Sequence, residues 1–334
     1  MINPGEPDMA EDMPSTRAHS LAPYFNILLG CGFIALALFQ YFGLPVLLLR
    51  GDFWWALTLI PIVLLTPTYW SVIHEAFHGV FSPNRTLNDL FGRVLGILFG
   101  SPFSLLRFGH LTHHGSNRTE LDRTEIFDAA SGNRGLSAAV FYLRLTFGLY
   151  AAEVASVFLF LLPRRILERI ASAALAGTDR HAKRVREQVS SQMLSRHKLR
   201  EIRTDCLAII LIFGLSFAAY SELWWVLAIA LLGRGALISF LDNAYHYGTR
   251  LDDPHAAYNL RLPRVGAALM LYFNLHRTHH RNPGLPWYGL PHAFNAAGDS
   301  YDGDLLATSL QQLRGPVYLN EWRPREDSNL RPPD

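Results

Sequence analysis

The chain has 334 residues, half of them hydrophobic and only 17% charged, with a formal net charge of +2. Soluble domains carry roughly 25% charged residues, so this composition excludes a disordered chain and argues against an ordinary cytosolic enzyme; the net charge is too small for a nucleic-acid binder. Cysteine is confined to Cys31 and Cys206, too few for a disulfide scaffold or a cysteine-rich metal site, which leaves the 14 histidines as the main chemical clue.

The first 20 residues contain acids and prolines and lack the basic start of a signal peptide, so a tail followed by a retained helix is expected. No residue from Ala18 to Leu49 is formally charged, and Ile27 to Leu49 is almost wholly apolar. A helix crosses about 30 Å of hydrocarbon in about 20 residues, so this run is long enough to span. A second uncharged run extends from Phe53 to Ile73, separated only by Arg50, Gly51 and Asp52, which predicts a tight hairpin. Leu90–Leu106 is short and interrupted by Gly92, Gly96, Gly100 and Pro102, and Ala139–Leu162 carries Arg144 and Glu153. Between Arg164 and Arg203, eleven Lys/Arg face four Asp/Glu, the signature of a cytoplasmic segment, although a solvated helix face has the same composition. Cys206–Leu241 is too long for one crossing, and with Ser221 and Glu222 near its middle it reads as a second hairpin. No internal repeat occurs. The domain reading is a tail over 1–21, one membrane domain over 22–319 and a disordered tail over 320–334.

His74-Glu-Ala-Phe-His78 follows directly on the second apolar run, and its i, i+4 spacing puts both imidazoles on one helix face. His110-Leu-Thr-His113-His114 and His276-Arg-Thr-His279-His280 share an HxxHH spacing, which again gathers rings on one face. Neutral imidazole is a good ligand for iron, copper and zinc. One metal takes about six ligands at most, so the eight histidines of these boxes point to two metals. A lone HxxxH is weak evidence, but three boxes beside apolar blocks are hard to obtain by chance.

HEAFH, HLTHH and HRTHH, in this order and around two hydrophobic hairpins, resemble the histidine boxes of membrane fatty acid desaturases, over roughly Ala22 to His292. Related hydroxylases, carotenoid ketolases and alkene-forming fatty acid decarboxylases share the pattern. The resemblance implies a histidine-held diiron centre that removes hydrogens from an unactivated alkyl chain with O₂. It also implies a ninth histidine just after the last membrane helix, preceded four residues earlier by an amide that reaches the metal through water. His246 fits; the position four back is Asp242, with Asn243 beside it, a departure from the desaturase pattern. Asp242 shares a helix face with His246 and is a candidate for orienting an imidazole, or else a helix-terminal cap. The expected ligands are therefore His74, His78, His110, His113, His114, His246, His276, His279 and His280.

Arg234, deep in the last apolar run, is a candidate for a substrate carboxylate, for pairing with an acid in the bundle, or a snorkelling arginine. The loop Asn282–Pro291 is expected either to pack over the metals, as in the family, with Trp287 against substrate, or to be a structural turn. His19, His181, His197, His255 and His292 have no partner at ligand spacing.

All boxes must lie on one side of the membrane, so Leu90–Leu106 is expected to be re-entrant or interfacial and Ala139–Leu162 to return without crossing. The expected architecture is an all-α integral membrane protein: four transmembrane helices in two hairpins under a cytoplasmic helical cap holding the metals. Both termini then face the cytoplasm, as fits a multi-pass protein of a bacterial inner membrane. The expected partners are a fatty acyl or other long-chain lipid, O₂, and a separate electron donor of ferredoxin, rubredoxin or cytochrome type, since the sequence carries no segment resembling one. The basic stretch suits an acidic donor or anionic lipid equally. Two other classes compete. HExxH is also the zinc protease motif, with Glu75 as base, but that leaves both HxxHH boxes unexplained. A metal transporter would hold ligands near the bilayer midplane, whereas these histidines follow the ends of apolar runs.

Overall fold

A computed structural model describes residues 16–128, 133–176, 179–251 and 253–322. Of the expected tails, 1–15 and 323–334 lie outside the described residues, and helix begins at Thr16, inside the segment read as tail. The architecture is mostly helical.

Helix α1 (Thr16–Leu38) passes through one π-turn at Phe39–Gly43 into α2 (Leu44–Leu49). Pro45, in the first turn of α2, has no N–H to give the regular ladder, which accounts for the local rewinding before it. Backbone N–H groups of Arg50 and Gly51 bond to Leu47 and Leu48, closing the expected tight turn. The chain returns through α3 (Leu59–Leu64) and α4 (Thr66–His78), bent by 46° where Pro67 opens α4. Helix α4 is buried from Thr66 to Phe77 and forms the centre of the molecule.

Helices α5 (Arg85–Phe99) and α6 (Phe103–Ser116) meet at a bend of 99°. A Cβ on Gly92 would sit 2.5 Å from the Phe103 ring, and one on Gly96 would sit 2.9 Å from the Ser101 carbonyl, so these glycines allow α6 to fold against α5. Asn88 on α5 donates to Ala76 O at 3.1 Å, and His110 on α6 meets His78. Both helices thus reach the same end of α4.

Helices α7 (Arg134–Leu143) and α8 (Leu149–Leu159) join through a π-turn at Arg144–Gly148 into one helix of 26 residues, long and apolar enough by itself to cross a membrane. Two amphipathic basic helices follow, α9 (Arg164–Ala174) and α10 (Arg180–Gln188). Then come α11 (Arg196–Tyr220) and α12 (Trp224–Ala244), with a break at Ser221, φ 49°. The Phe213 ring lies 5.1 Å from that of Tyr41, and Arg234 donates to the Tyr41 hydroxyl at 3.0 Å. A straight helix would separate residues 213 and 234 by about 31 Å, so α11 and α12 fold back on each other, as the sequence predicts. Phe141 of α7 packs on Tyr247, just beyond α12, while Phe160 O, just beyond α8, accepts from Arg203 of α11 at 3.1 Å. Both ends of α7–α8 therefore meet the end of the hairpin remote from Ser221.

The remaining chain forms a cap of short helices, α13 (Arg264–Leu269), α14 (His276–Arg281), α15 (Leu290–Ala296) and α16 (Leu305–Gln311). Two parallel ladders of two residues each pin it: β1 (Ile126–Phe127) with β4 (Val317–Tyr318), and β2 (Leu260–Arg261) with β3 (Gly303–Asp304). Such short strands carry no periodic sequence signal, and a helix-only expectation misses them.

Candidate metal centre

Three helices and one turn bring all nine expected ligands together. Helix α4 supplies His74 and His78, α6 supplies His110, His113 and His114, α14 supplies His276, His279 and His280, and His246 follows α12. They divide into two groups, His74, His78, His110, His114 and His279 in one, and His113, His246, His276 and His280 in the other; within each, one nitrogen per ring lies within 4.8 Å of all the others. His255, which the spacing argument set aside, turns its Nδ1 to the His280 carbonyl at 3.1 Å.

The outward nitrogens decide what the inward ones are. His280 Nδ1 lies 3.1 Å from Pro254 O, His246 Nδ1 lies 3.1 Å from Ala256 O, and His113 Nδ1 lies 2.5 Å from Asp122 Oδ2. Carbonyls and carboxylates only accept, so each Nδ1 carries the proton and each Nε2 of a neutral ring presents a lone pair. Yet His113 Nε2 and His280 Nε2 are 3.2 Å apart. The contact is satisfied either by a proton on His113, which, against the effect of burial, Asp122 and Asp242 hold above the ordinary histidine range, or by a cation between two lone pairs. Other Nε2 atoms also meet closely, at 2.8 Å for His78–His110, 3.0 Å for His114–His279 and 3.1 Å for His246–His276. Two ligands about 2.1 Å from one metal and at right angles are about 3 Å apart, so the spacing suits coordination. His74 Nε2 is buried without a hydrogen-bond partner. Burial, and then the neighbouring imidazoles, hold His276, His279 and His280 well below the ordinary histidine range, and burial does the same for His246, which favours the neutral, ligating form.

Around the rings lies a support that spacing did not reveal. Asn117 Nδ2 donates at 3.0 Å to both Pro254 O and Ala256 O, the carbonyls that hold His280 and His246. Arg118 is buried, pairs with Glu125 at 2.7 Å and donates to Thr249 O at 3.0 Å, joining the loop after α6 to the turn after α12. Arg277, between His276 and His279 on α14, pairs with Asp299 and Asp302 at 2.6 and 2.5 Å, which anchors the helix.

A cavity of about 1020 Å³ opens beside the centre, walled by α6, α7–α8 and α12, and His110 and His113 line it. Asp242 and Asn243 also line it. Asp242 acts electrostatically on His113, while the carboxylate hydrogen-bonded to that ring is Asp122. Asn243 accepts from Thr124 at 2.9 Å and donates to Gln312 at 2.6 Å, so its amide ties α12 to the cap. Arg234 is buried, donates to the Tyr41 hydroxyl and to Phe99 O at 3.2 Å, and lies over the Phe99 ring. The Trp287 N–H donates to Glu75 Oε1 at 3.1 Å and its indole donates to Asn26 at 2.9 Å, so it fastens the loop after the third box to α4 and α1. Glu75, the base of the protease alternative, thus holds a backbone N–H, and its flanking histidines share their group with the two HxxHH boxes.

A family model described as fatty acid desaturase matches residues 52–308, well over half of the chain and including every box. The chain belongs to the fatty acid desaturase family. No curated protein and no solved structure gives a match. Family membership makes this desaturase-family chain an oxidoreductase with a lipid substrate and a membrane setting, and its histidine groups are compatible with a metal site.

Proposed function

We propose that this chain is an O₂-dependent desaturase of a long alkyl chain, with two iron ions held by the five-histidine and four-histidine groups. The observation that carries the reading is the gathering of nine imidazoles into a five-ring and a four-ring group, in each of which one nitrogen per ring lies within 4.8 Å of all the others. Two irons supply the oxidising chemistry that an unactivated methylene demands, which side-chain acids and bases lack. The protein's own part is placement. Leu105, Leu106, Leu145 and Leu149 give the cavity an apolar wall for an alkyl chain, and His110 and His113 bring that wall to the metals. Phe77 stacks on Phe103 at 5.9 Å and lies 5.4 Å from the His110 ring, helping to keep water from this side of the centre. Asp122 and Asp242 bias His113 from two sides, and Arg234 and Trp287 hold the helices and loop that frame the site.

The proposed topology has four crossings, α1–α2, α3–α4, α11 and α12, with α5–α6 re-entrant and α7–α8 returning. It places both termini and every box in the cytoplasm of a bacterial cell, at the plasma membrane. The basic helices α9 and α10 support that orientation. Electrons come from a separate ferredoxin, rubredoxin or cytochrome.

Mass spectrometry of lipids and volatile products from cells expressing the chain tests the reaction. A new double bond in a chain of unchanged length is expected. A hydroxyl or keto product, or an alkene one carbon shorter, would replace desaturation with another outcome of the same centre. Unchanged products from iron-loaded protein supplied with a donor would overturn the proposal.

A further inference from the structure

The cavity wall on α7–α8 changes character along its length. Leu145, Leu149 and Ala152 are apolar, and Glu153 follows them. Leu145 and Glu153 are about 12 Å apart along the helix. Glu153 is 7% exposed, and neither of its carboxyl oxygens has a hydrogen-bond partner. Buried polar groups are almost always satisfied, and an orphan in a cavity wall marks where a ligand's polar group belongs.

The surroundings narrow the class of that group. Asp242 lines the same cavity and acts on Glu153 as a like charge. The cations of the wall lie elsewhere: Arg144 is exposed and nine residues back along the helix, and Arg123 is paired with Glu120. A carboxylate or phosphate ligand would be desolvated beside two acids, and the Arg234 guanidinium that acts on Glu153 is already engaged by the Tyr41 hydroxyl and Phe99 O. A cationic ligand meets the opposite difficulty. Burial pushes the Glu153 carboxyl up to about 8, so near neutral pH it is largely uncharged, and with Arg234 acting on it as well an ammonium finds no full counter-charge there. A neutral hydroxyl suffers neither penalty. Its O–H donates to a Glu153 oxygen, and its own oxygen accepts.

We propose that Glu153 binds the hydroxyl end of a long-chain substrate, so that the enzyme takes an alcohol or hydroxyl-bearing lipid and discriminates against a free carboxylate. This deepens the desaturase reading and rests on it for the cavity's role as substrate site.

Equilibrium binding of radiolabelled 1-octadecanol, octadecanoate and octadecylamine to the full chain in neutral phospholipid nanodiscs tests it without turnover. The alcohol is expected to bind about tenfold more tightly than either ion. Glu153→Gln keeps an acceptor and is expected to retain most of that preference. Glu153→Leu is expected to lose it, and Glu153→Lys to favour the carboxylate. Metal content equal to wild type in each variant reports an intact fold. Tighter binding of the carboxylate or the amine, no saturable binding of the alcohol, or an unchanged preference in Glu153→Leu would overturn the inference. Failure of the parent reading shows separately, as absent metal and unchanged lipids, whatever the alcohol does.

Discussion

Asp122 Oδ2 meets His113 Nδ1 at 2.5 Å across the loop that follows α6, and it is a side-chain carboxylate hydrogen-bonded to one of the nine converging rings. The contact fixes which nitrogen of His113 carries the proton and makes the other more basic. Such outer contacts typically cost 10- to 100-fold in metal affinity or activity when removed. Asp122→Ala is expected to weaken iron binding in chelator competition by about that much. Asp122→Asn keeps an acceptor without the charge and is expected to fall between Ala and wild type. Unchanged affinity in both would remove Asp122 from the site.

The two groups can be emptied one at a time. His276→Ala removes a ligand of the four-histidine group, and His279→Ala one of the five-histidine group. Each is expected to lower iron from about two to about one per chain and to abolish turnover, because both metals act together. His255→Ala is the control, since among the described residues that ring's hydrogen bond is to the backbone of His280. Full iron content or full activity in His276→Ala would defeat the dimetal assignment.

Much of this site was legible because helix periodicity is a strong local signal. His74 and His78 share a face by spacing alone, and so do His276, His279 and His280. Both hairpins were visible for the same kind of reason: uncharged runs interrupted by Arg50–Asp52 and by Ser221–Glu222. What was not legible is what meets across loops. Asn117 and Asp122 lie outside any repeating pattern, and their partners, Pro254, Ala256 and His113, are brought to them by the fold. Trp287 was read as a substrate contact, and spacing could not show the anchor it makes to Glu75 and Asn26. The ladders β1–β4 and β2–β3 escaped because two residues cannot show a period of two.

Arg118 and Glu125 form a buried pair at 2.7 Å, with side chains 1% and 0% exposed. Glu125→Ala leaves a buried guanidinium without its counter-charge and strands Gly248 N–H, which donates to Glu125 at 3.0 Å. A broken buried pair typically costs about 3–5 kcal/mol. The variant is expected to unfold at distinctly lower denaturant concentration and to lose iron, because Arg118 also holds Thr249 near His246. Glu125→Gln, which keeps an acceptor, is expected to lose less. Wild-type unfolding of Glu125→Ala would show that the pair does not hold the two segments.

The last expectation concerns sidedness. The rings of His113 and His246 are 4.7 Å apart, so the chain between them crosses the membrane an even number of times. In the proposed topology α11 and α12 provide two crossings, and α7–α8, both of whose ends meet the hairpin end remote from Ser221, provides none. The turn at Ser221 and Glu222 then faces the side opposite the histidines, and the stretch containing Ser190 faces the same side as they do. In a chain with Cys31 and Cys206 replaced by Ser, a cysteine introduced at Glu222 is expected to react with a membrane-impermeant thiol reagent applied to intact cells. A cysteine introduced at Ser190 is expected to react only after the membrane is opened. A fifth crossing by α7–α8 would carry His246 away from His113, and labelling of the Ser190 position in intact cells would overturn the four-crossing arrangement.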